Sequence, residues 1–273
     1  MPNFIRALTI AGFDGSGGAG IQADIKTFSA LGCYAMSALT ALPVQNTTGV
    51  KNIYELPLSF IKEQCEAIFE DIGVDVVKIG MLFNSDVIGV VSDILLKYKP
   101  KLIVVDPVMV AKSGDSLLKA DAINALVEKI FPLSTIITPN MPEASQILGQ
   151  EIEGEGDMID AAVKLACLGS KAVIVKGGHA KGEFCRDLLY LDGVRYRFGA
   201  KRISTINNHG TGCTFSAAIA AFLGHGYTIP EAAKKAKIYI TGALNAAKDY
   251  KIGKGHGPVH HFYDLWKEKK YVM

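Results

Sequence analysis

A chain of 273 residues is long for one domain by simple division, yet three-layer α/β enzymes reach that size as a single unit, and residues 1–273 are expected to form one domain. Hydrophobic residues at 49% and charged residues at 21% exclude a disordered chain and supply a sizeable core. A formal net charge of +2, with no basic arm or lysine-arginine run, disfavours nucleic acid and anionic membranes as partners and favours small molecules.

The five cysteines, Cys33, Cys65, Cys167, Cys185 and Cys213, form no Cys-x-x-Cys pair and are odd in number. Neither a disulfide framework nor a zinc cluster is expected, and a reducing cytoplasm fits. Residues 1–12 lack the apolar core of a secretion signal, and no 18-residue uncharged apolar stretch is present to span a bilayer.

Residues 7–11 are a short apolar run ending at a glycine cluster, and helical spacing begins at Ile21, so strand, loop and helix follow one another. Gly15, Gly17 and Gly20 match the GxGxxG spacing of a dinucleotide-binding loop. That reading needs an acidic residue about 20 positions further on to hold the ribose. Residues 25–54 contain none, so the loop from Gly12 is read as bare backbone against which some other ligand lies. Asp24 falls one turn into the helix, where an aspartate is usually solvated or a cap, but beside a glycine-rich ligand loop it can hold a hydroxyl or an amine.

Residues 36–44 read as one buried strand, broken by the turn formers at 45–49. Gln45 therefore stands at a strand end, where its amide offers a donor and an acceptor to the edge of a heterocyclic base; a solvated turn glutamine is the commoner case. Helical spacing over 60–72 and 87–98 alternates with strands at 76–79 and 102–105. This rhythm implies a mostly parallel sheet with helices on both faces and ligands gathered at the carboxyl ends of the strands. Met81 and Met109 both follow such ends; methionines there are more often core filler, but two converging on one edge would line an apolar slot.

Asp106 leaves an apolar strand just before Pro107, and a carboxylate so placed needs a partner or a cation. A strand at 136–138 leads to Asn140 and Glu143, whose spacing is that of a capping box for a short helix ending at Leu148. The alternative is an oxygen-rich site with Asp106 for hydrated Mg²⁺, which is held by few carboxylates together with phosphate oxygens. A helix at 158–168 precedes a strand at 172–175 that ends in Lys176, within reach of a phosphate although lone lysines mostly face solvent. Asp192-Gly193, between apolar runs at 188–191 and 194–198, marks a hairpin at the antiparallel edge.

Phe215, Ile219, Phe222 and Leu223 follow helical spacing, which puts the glycines of Asn208-His209-Gly210-Thr211-Gly212-Cys213 before and inside the first turn of a helix ending at 224–226. Unpaired amides and the positive end of the helix dipole favour an anion there, and a phosphoryl group suits the position. The same field is expected to lower the Cys213 thiol and make it a proton acceptor or charged contact. An ordinary tight turn feeding a buried helix is the plainer alternative. Pro230 opens a last helix reaching Tyr250, and His256, His260 and His261 read as a surface tail, not a metal site.

Set together, AGFDGSGGAGIQAD at 11–24, Gln45-Asn46-Thr47, KIGM at 78–81, DPVMVAKSG at 106–114, TPNMPE at 138–143, KGGH at 176–179, the 208–213 run and GPVHH at 257–261 resemble the ribokinase superfamily nearly end to end. Within it they resemble the hydroxymethylpyrimidine/phosphomethylpyrimidine kinases of thiamine biosynthesis. The resemblance implies a three-layer α/β/α ribokinase-like fold, with a mostly parallel central sheet and an antiparallel edge hairpin. It implies ATP and Mg²⁺ as cofactors, a homodimer, and two successive phosphorylations at one site. The first acts on the hydroxyl of 4-amino-5-hydroxymethyl-2-methylpyrimidine, the second on the resulting monophosphate. Gly210, Thr211, Gly212 and Cys213 would form the anion hole, with Cys213 where the wider superfamily carries an aspartate base. Asp106 and Glu143, with Asn140, would organise Mg²⁺ and the ATP phosphates, and Lys176 would touch a nucleotide phosphate. Gln45 would contact the pyrimidine, Met81 and Val108 would flank its ring, and Gly12 and Asp24 would lie nearby. Phe13 replaces the small or hydroxylated residue expected in the first loop. The nearest alternative is a pyridoxal or pyridoxine kinase, or an enzyme of dual specificity. A silent vitamin sensor is disfavoured by the intact set Asp106, Glu143, Lys176 and Cys213.

Overall fold

The structure, a computed structural model, describes residues 4–110, 114, 117–118 and 122–266. Residues 111–113 of the 106–114 motif lie outside the described residues. Strand β1 (Ile5–Ala11) leads through the glycine loop into helix α1 (Gly20–Ala30) and strand β2 (Cys33–Leu39). Strands β3 (Ala41–Asn46) and β4 (Gly49–Glu55) form a separate antiparallel ribbon. Helix α2 (Leu58–Asp71), β5 (Val76–Ile79), α3 (Ser85–Tyr98), β6 (Ile103–Val105) and α4 (Ala122–Lys129) follow. Next come β7 (Ile136–Ile137), α5 (Met141–Leu148), α6 (Glu155–Ala166) and β8 (Ala172–Val175). The hairpin β9 (Phe184–Leu191) and β10 (Val194–Lys201) precedes α7 (Thr211–Gly224) and α8 (Ile229–Ala247).

Eight strands form one sheet in the order β10-β9-β8-β7-β6-β5-β1-β2, parallel from β2 through β8, with β9 and β10 antiparallel at the edge. Side chains alternate across it with period two. Leu8, Ile10, Val77, Ile79, Ile103, Val105 and Ile137 pack on α2 to α6, whereas Ala7, Val76, Val104, Ile136 and Ile174 pack on α1, α7 and α8. Two apolar layers flank the sheet, and the expected α/β/α architecture is present. At the hairpin, Asp192 and Gly193 both have positive φ, 48° and 80°, as a two-residue turn matched to strand twist requires.

Three expectations need correction. Residues 36–44 are two strands, because Thr40 donates from its amide to the Ala11 carbonyl (3.0 Å) and from its hydroxyl to the Met81 carbonyl (2.6 Å), turning the chain out of the main sheet. Elements β4 and α4 had no counterpart in the sequence reading. The supposed histidine tail is a buried brace: Val259 and His261 are each 4% exposed, and His261 Nε2 lies 3.1 Å from Thr214 Oγ1. Burial drives the His261 pKa down to about 3, so the imidazole is neutral. Of the three histidines only His256 is exposed.

Candidate functional site

A cavity of about 740 Å³ opens at the carboxyl ends of β1, β5, β6 and β8, between the starts of α1 and α7. On one wall α7 begins. Gly210 adopts φ +76°, and a Cβ there would strike the Gly18 carbonyl, so only glycine fits. The amides of Gly212 and Cys213 precede the first intrahelical bond, Thr214 N to Gly210 O at 2.9 Å, and both residues line the cavity. A Cβ built on Gly212 would lie 3.3 Å from Lys176 Nζ and 3.4 Å from Asp106 Oδ2, which places these two charges directly across from the helix start.

Lys176 Nζ stands 2.6 Å from Asp106 Oδ1 and 3.9 Å from Glu143 Oε2. Asp106 Oδ1 also accepts from Thr138 Oγ1 (3.0 Å). The partner that a buried Asp106 requires is thus Lys176. Burial works against charge on Asp106, but Lys176 and then Lys78 outweigh it and hold the carboxyl below the ordinary range. For Glu143 burial wins, raising it to about 7 against the pull of Lys176. Asn140 and Glu143 form the expected capping box, with Asn140 N donating to Glu143 Oε2 (2.7 Å) and Glu143 N to Asn140 Oδ1 (2.9 Å). Both also line the cavity, so capping is what aims them.

Cys213 departs from expectation. Burial pushes its thiol up to about 11, and neither Lys78 nor the amide of Gly20 reverses that. The helix end does not create a standing thiolate. At the opposite wall lie Gly12, Gln45, Met81 and Val108. Met81 and Val108 pack in one apolar cluster with Ala41 and Leu117, and the Gln45 amide donates weakly to the Phe13 carbonyl at 3.4 Å. Asp24 is the one expected site residue that does not line the cavity: it is fully buried behind it, bound to the cavity-lining Lys78 Nζ (2.8 Å) and to Thr9 Oγ1 (2.6 Å).

Charged groups facing a helix start, with an apolar slot beside them, suit the needs of a small-molecule kinase. A family model described as phosphomethylpyrimidine kinase matches residues 14–260. The chain belongs to the phosphomethylpyrimidine kinase family. It is 48% identical to a hydroxymethylpyrimidine/phosphomethylpyrimidine kinase of Rhizobium meliloti over 263 residues, covering 96% of this chain and 98% of that one. Among solved structures, phosphomethylpyrimidine kinase from Clostridium difficile matches with TM-score 0.78 and 47% identity over 88% of this chain and 99% of that one. Pyridoxal kinase of Bacillus subtilis, solved as an ADP complex, matches with TM-score 0.87 and 39% identity over 95% and 98%.

Within this phosphomethylpyrimidine kinase fold, three polar residues matter that sequence reasoning left without a role. Lys78 is fully buried yet borders the cavity; burial opposes its charge, but Asp24 outweighs that and keeps it protonated. A lysine inside the apolar run Val76–Ile79 was the available signal. Asp14 and His209, on the two glycine loops, lie 2.8 Å apart. Nothing in their spacing of 195 residues pointed to that contact.

Proposed function

We infer that this kinase transfers the γ-phosphoryl group of ATP to the hydroxymethyl group of 4-amino-5-hydroxymethyl-2-methylpyrimidine, and then phosphorylates the monophosphate to the diphosphate, for thiamine biosynthesis. The observation that carries the reading is the facing of Lys176 and Asp106 toward Gly212 in the same cavity whose other wall holds Gln45, Met81 and Val108. Phosphoryl transfer through a loose transition state asks mainly for positioning and charge stabilisation. The α7 amides and Lys176 supply these for the migrating group, while Gln45 orients the acceptor. Cys213 sits beside both. Its high pKa keeps the thiolate scarce, and a thiolate formed there would act as a general base that accepts the alcohol's proton only as the bond to phosphorus forms.

Mg²⁺ belongs to this proposal. Asp106 and Glu143 offer carboxylate oxygen only, and among the described residues no group of three or more His, Cys, Asp or Glu gathers to cage a metal. That donor set suits a hydrated hard cation completed by phosphate oxygens, which when bound neutralises phosphate charge. We further propose one kinase domain, a cytoplasmic location where ATP meets unpaired cysteines, and a homodimer. Tyr34, Val44 and Tyr54, apolar and about half exposed on β2 and the β3–β4 ribbon, support a second copy there.

The match to pyridoxal kinases at TM-scores of 0.87 to 0.89 supports a second reading, vitamin B6 phosphorylation or dual activity. Side-by-side steady-state kinetics on the two alcohols decides. An aminopyrimidine presents Gln45 with complementary donor and acceptor edges, so kcat/KM for it is expected to exceed that for pyridoxal by about tenfold or more, one well-made hydrogen-bond pair. Equal or better turnover of pyridoxal overturns the preference.

A further inference from the structure

The two glycine loops meet through a pair of side chains that the transfer reaction above leaves without a task. Asp14 is fully buried, and its oxygens accept from Ser16 N (2.9 Å), Ser16 Oγ (2.6 Å), Gly18 N (3.1 Å) and Ala19 N (2.7 Å). Oδ2 also receives His209 Nε2 at 2.8 Å, from a side chain that is 11% exposed. Burial opposes charge on Asp14, but His209, Ser16 and the Ala19 amide outweigh it, so the group is a carboxylate and the histidine nitrogen is the donor.

His209 is fixed from behind as well. Its main-chain amide donates to the Gly257 carbonyl (3.0 Å), and its ring lies so close over Gly18 that a Cβ there would collide with it. One residue on, Gly210 rests against the Gly18 carbonyl. The loop before α1 and the loop before α7 are therefore in main-chain contact, and each opens into a helix start that borders the cavity.

Six glycines in these two segments, at 15, 17, 18, 20, 210 and 212, leave the backbone few restraints of its own. We propose that His209, held by Asp14, is a positioning residue for the γ-phosphoryl group: it clamps the two loops together so that the Gly212 and Cys213 amides keep their aim into the cavity. The inference rests on the kinase reading. It differs from a merely structural role, because the clamp lies at the transferring phosphate and not at the rest of the nucleotide.

The test compares ADP with the non-hydrolysable ATP analogue AMP-PCP by titration calorimetry. For His209→Ala, the ADP Kd is expected to stay within about twofold while the AMP-PCP Kd weakens about tenfold, the loss of a charge-assisted contact. His209→Gln, whose amide still donates to Asp14, is expected to regain most of that loss. Asp14→Asn should match the alanine variant, and the double variant should be no worse than either single one, since both remove one clamp. Should His209→Ala not fold, Asp14→Asn is read in its place. Equal weakening of both nucleotides, no weakening of AMP-PCP, or a glutamine variant as poor as alanine overturns the clamp. A wild-type protein that binds neither nucleotide overturns the kinase reading itself, and the clamp with it.

Discussion

Cys213 illustrates how two opposing fields at one atom are weighed. A helix start and the Lys78 ammonium favour a thiolate, but burial costs more and the pKa climbs to about 11. On the proposed mechanism, most of the catalytic work would therefore fall on the Lys176 ammonium and the fixed dipoles of the α7 amides, with Cys213 acting on the acceptor hydroxyl as transfer proceeds. Removing one such contact at the reacting centre costs about 3 kcal/mol in comparable sites. Cys213→Ala is thus expected to lower kcat roughly a hundredfold and to leave the KM for ATP within about twofold. Rapid-quench turnover in that variant at the wild-type rate would remove the residue from the mechanism. At this scale the sequence was a fair guide to which residues gather at one cavity and a poor one to their state. Twelve of the thirteen expected site residues border one cavity. Asp24 does not, because Lys78 and Thr9 draw its carboxylate into the core, and no local pattern records a partner 54 residues away.

Elements were legible where burial imposes a period and opaque where hydrogen bonds decide. The runs at 76–79 and 172–175 coincide with β5 and β8 because strands covered on both faces are nearly continuous apolar runs, Lys78 being the one exception. The break at Thr40 is invisible by the same logic, since both halves of 36–44 are apolar. Strand β4 is half solvated and its sequence GVKNIYE has no clean alternation. Helix α4 was readable from Ile123, Leu126, Val127 and Ile130, and was overlooked. The C-terminal brace is secured by an end-cap that no propensity scale contains. Asn207 is 2% exposed, and its side-chain amide donates to the Ala247 and Tyr250 carbonyls at the end of α8, at 2.6 and 2.7 Å. Asn207→Ala leaves both carbonyls without that donor, the Ala247 carbonyl in a buried position, which is expected to cost about 2 kcal/mol. Urea unfolding should show a lower midpoint at unchanged slope. A midpoint equal to wild type means that another donor takes over and the cap is dispensable.

Over the whole molecule, function follows from where the sheet stops. Alternating strands and helices told of a parallel sheet, but not of the order that sets β1 between β5 and β2; that order carries the α1 loop to the same rim as Asp106 and Lys176. The resulting cavity touches both apolar layers, through Met109 on one side and Phe215 and Ile240 on the other. A bound nucleotide therefore joins parts of the fold that unfold together, and its binding energy adds to global stability by mass action. At about one hundred times its Kd, AMP-PCP with Mg²⁺ contributes about 2.7 kcal/mol, a rise in melting temperature of roughly 5–10 °C for a chain of this size. The share due to Mg²⁺ is separable. Without a cation, the phosphates meet the Asp106 carboxylate and Glu143 with only Lys176, Lys78 and the α7 amides to offset the repulsion, so repeating the melt at the same AMP-PCP concentration in EDTA should abolish most of the rise. An undiminished rise in EDTA shows that Lys176 and the α7 amides hold the triphosphate unaided, and removes Asp106 and Glu143 as the route by which the cation is held.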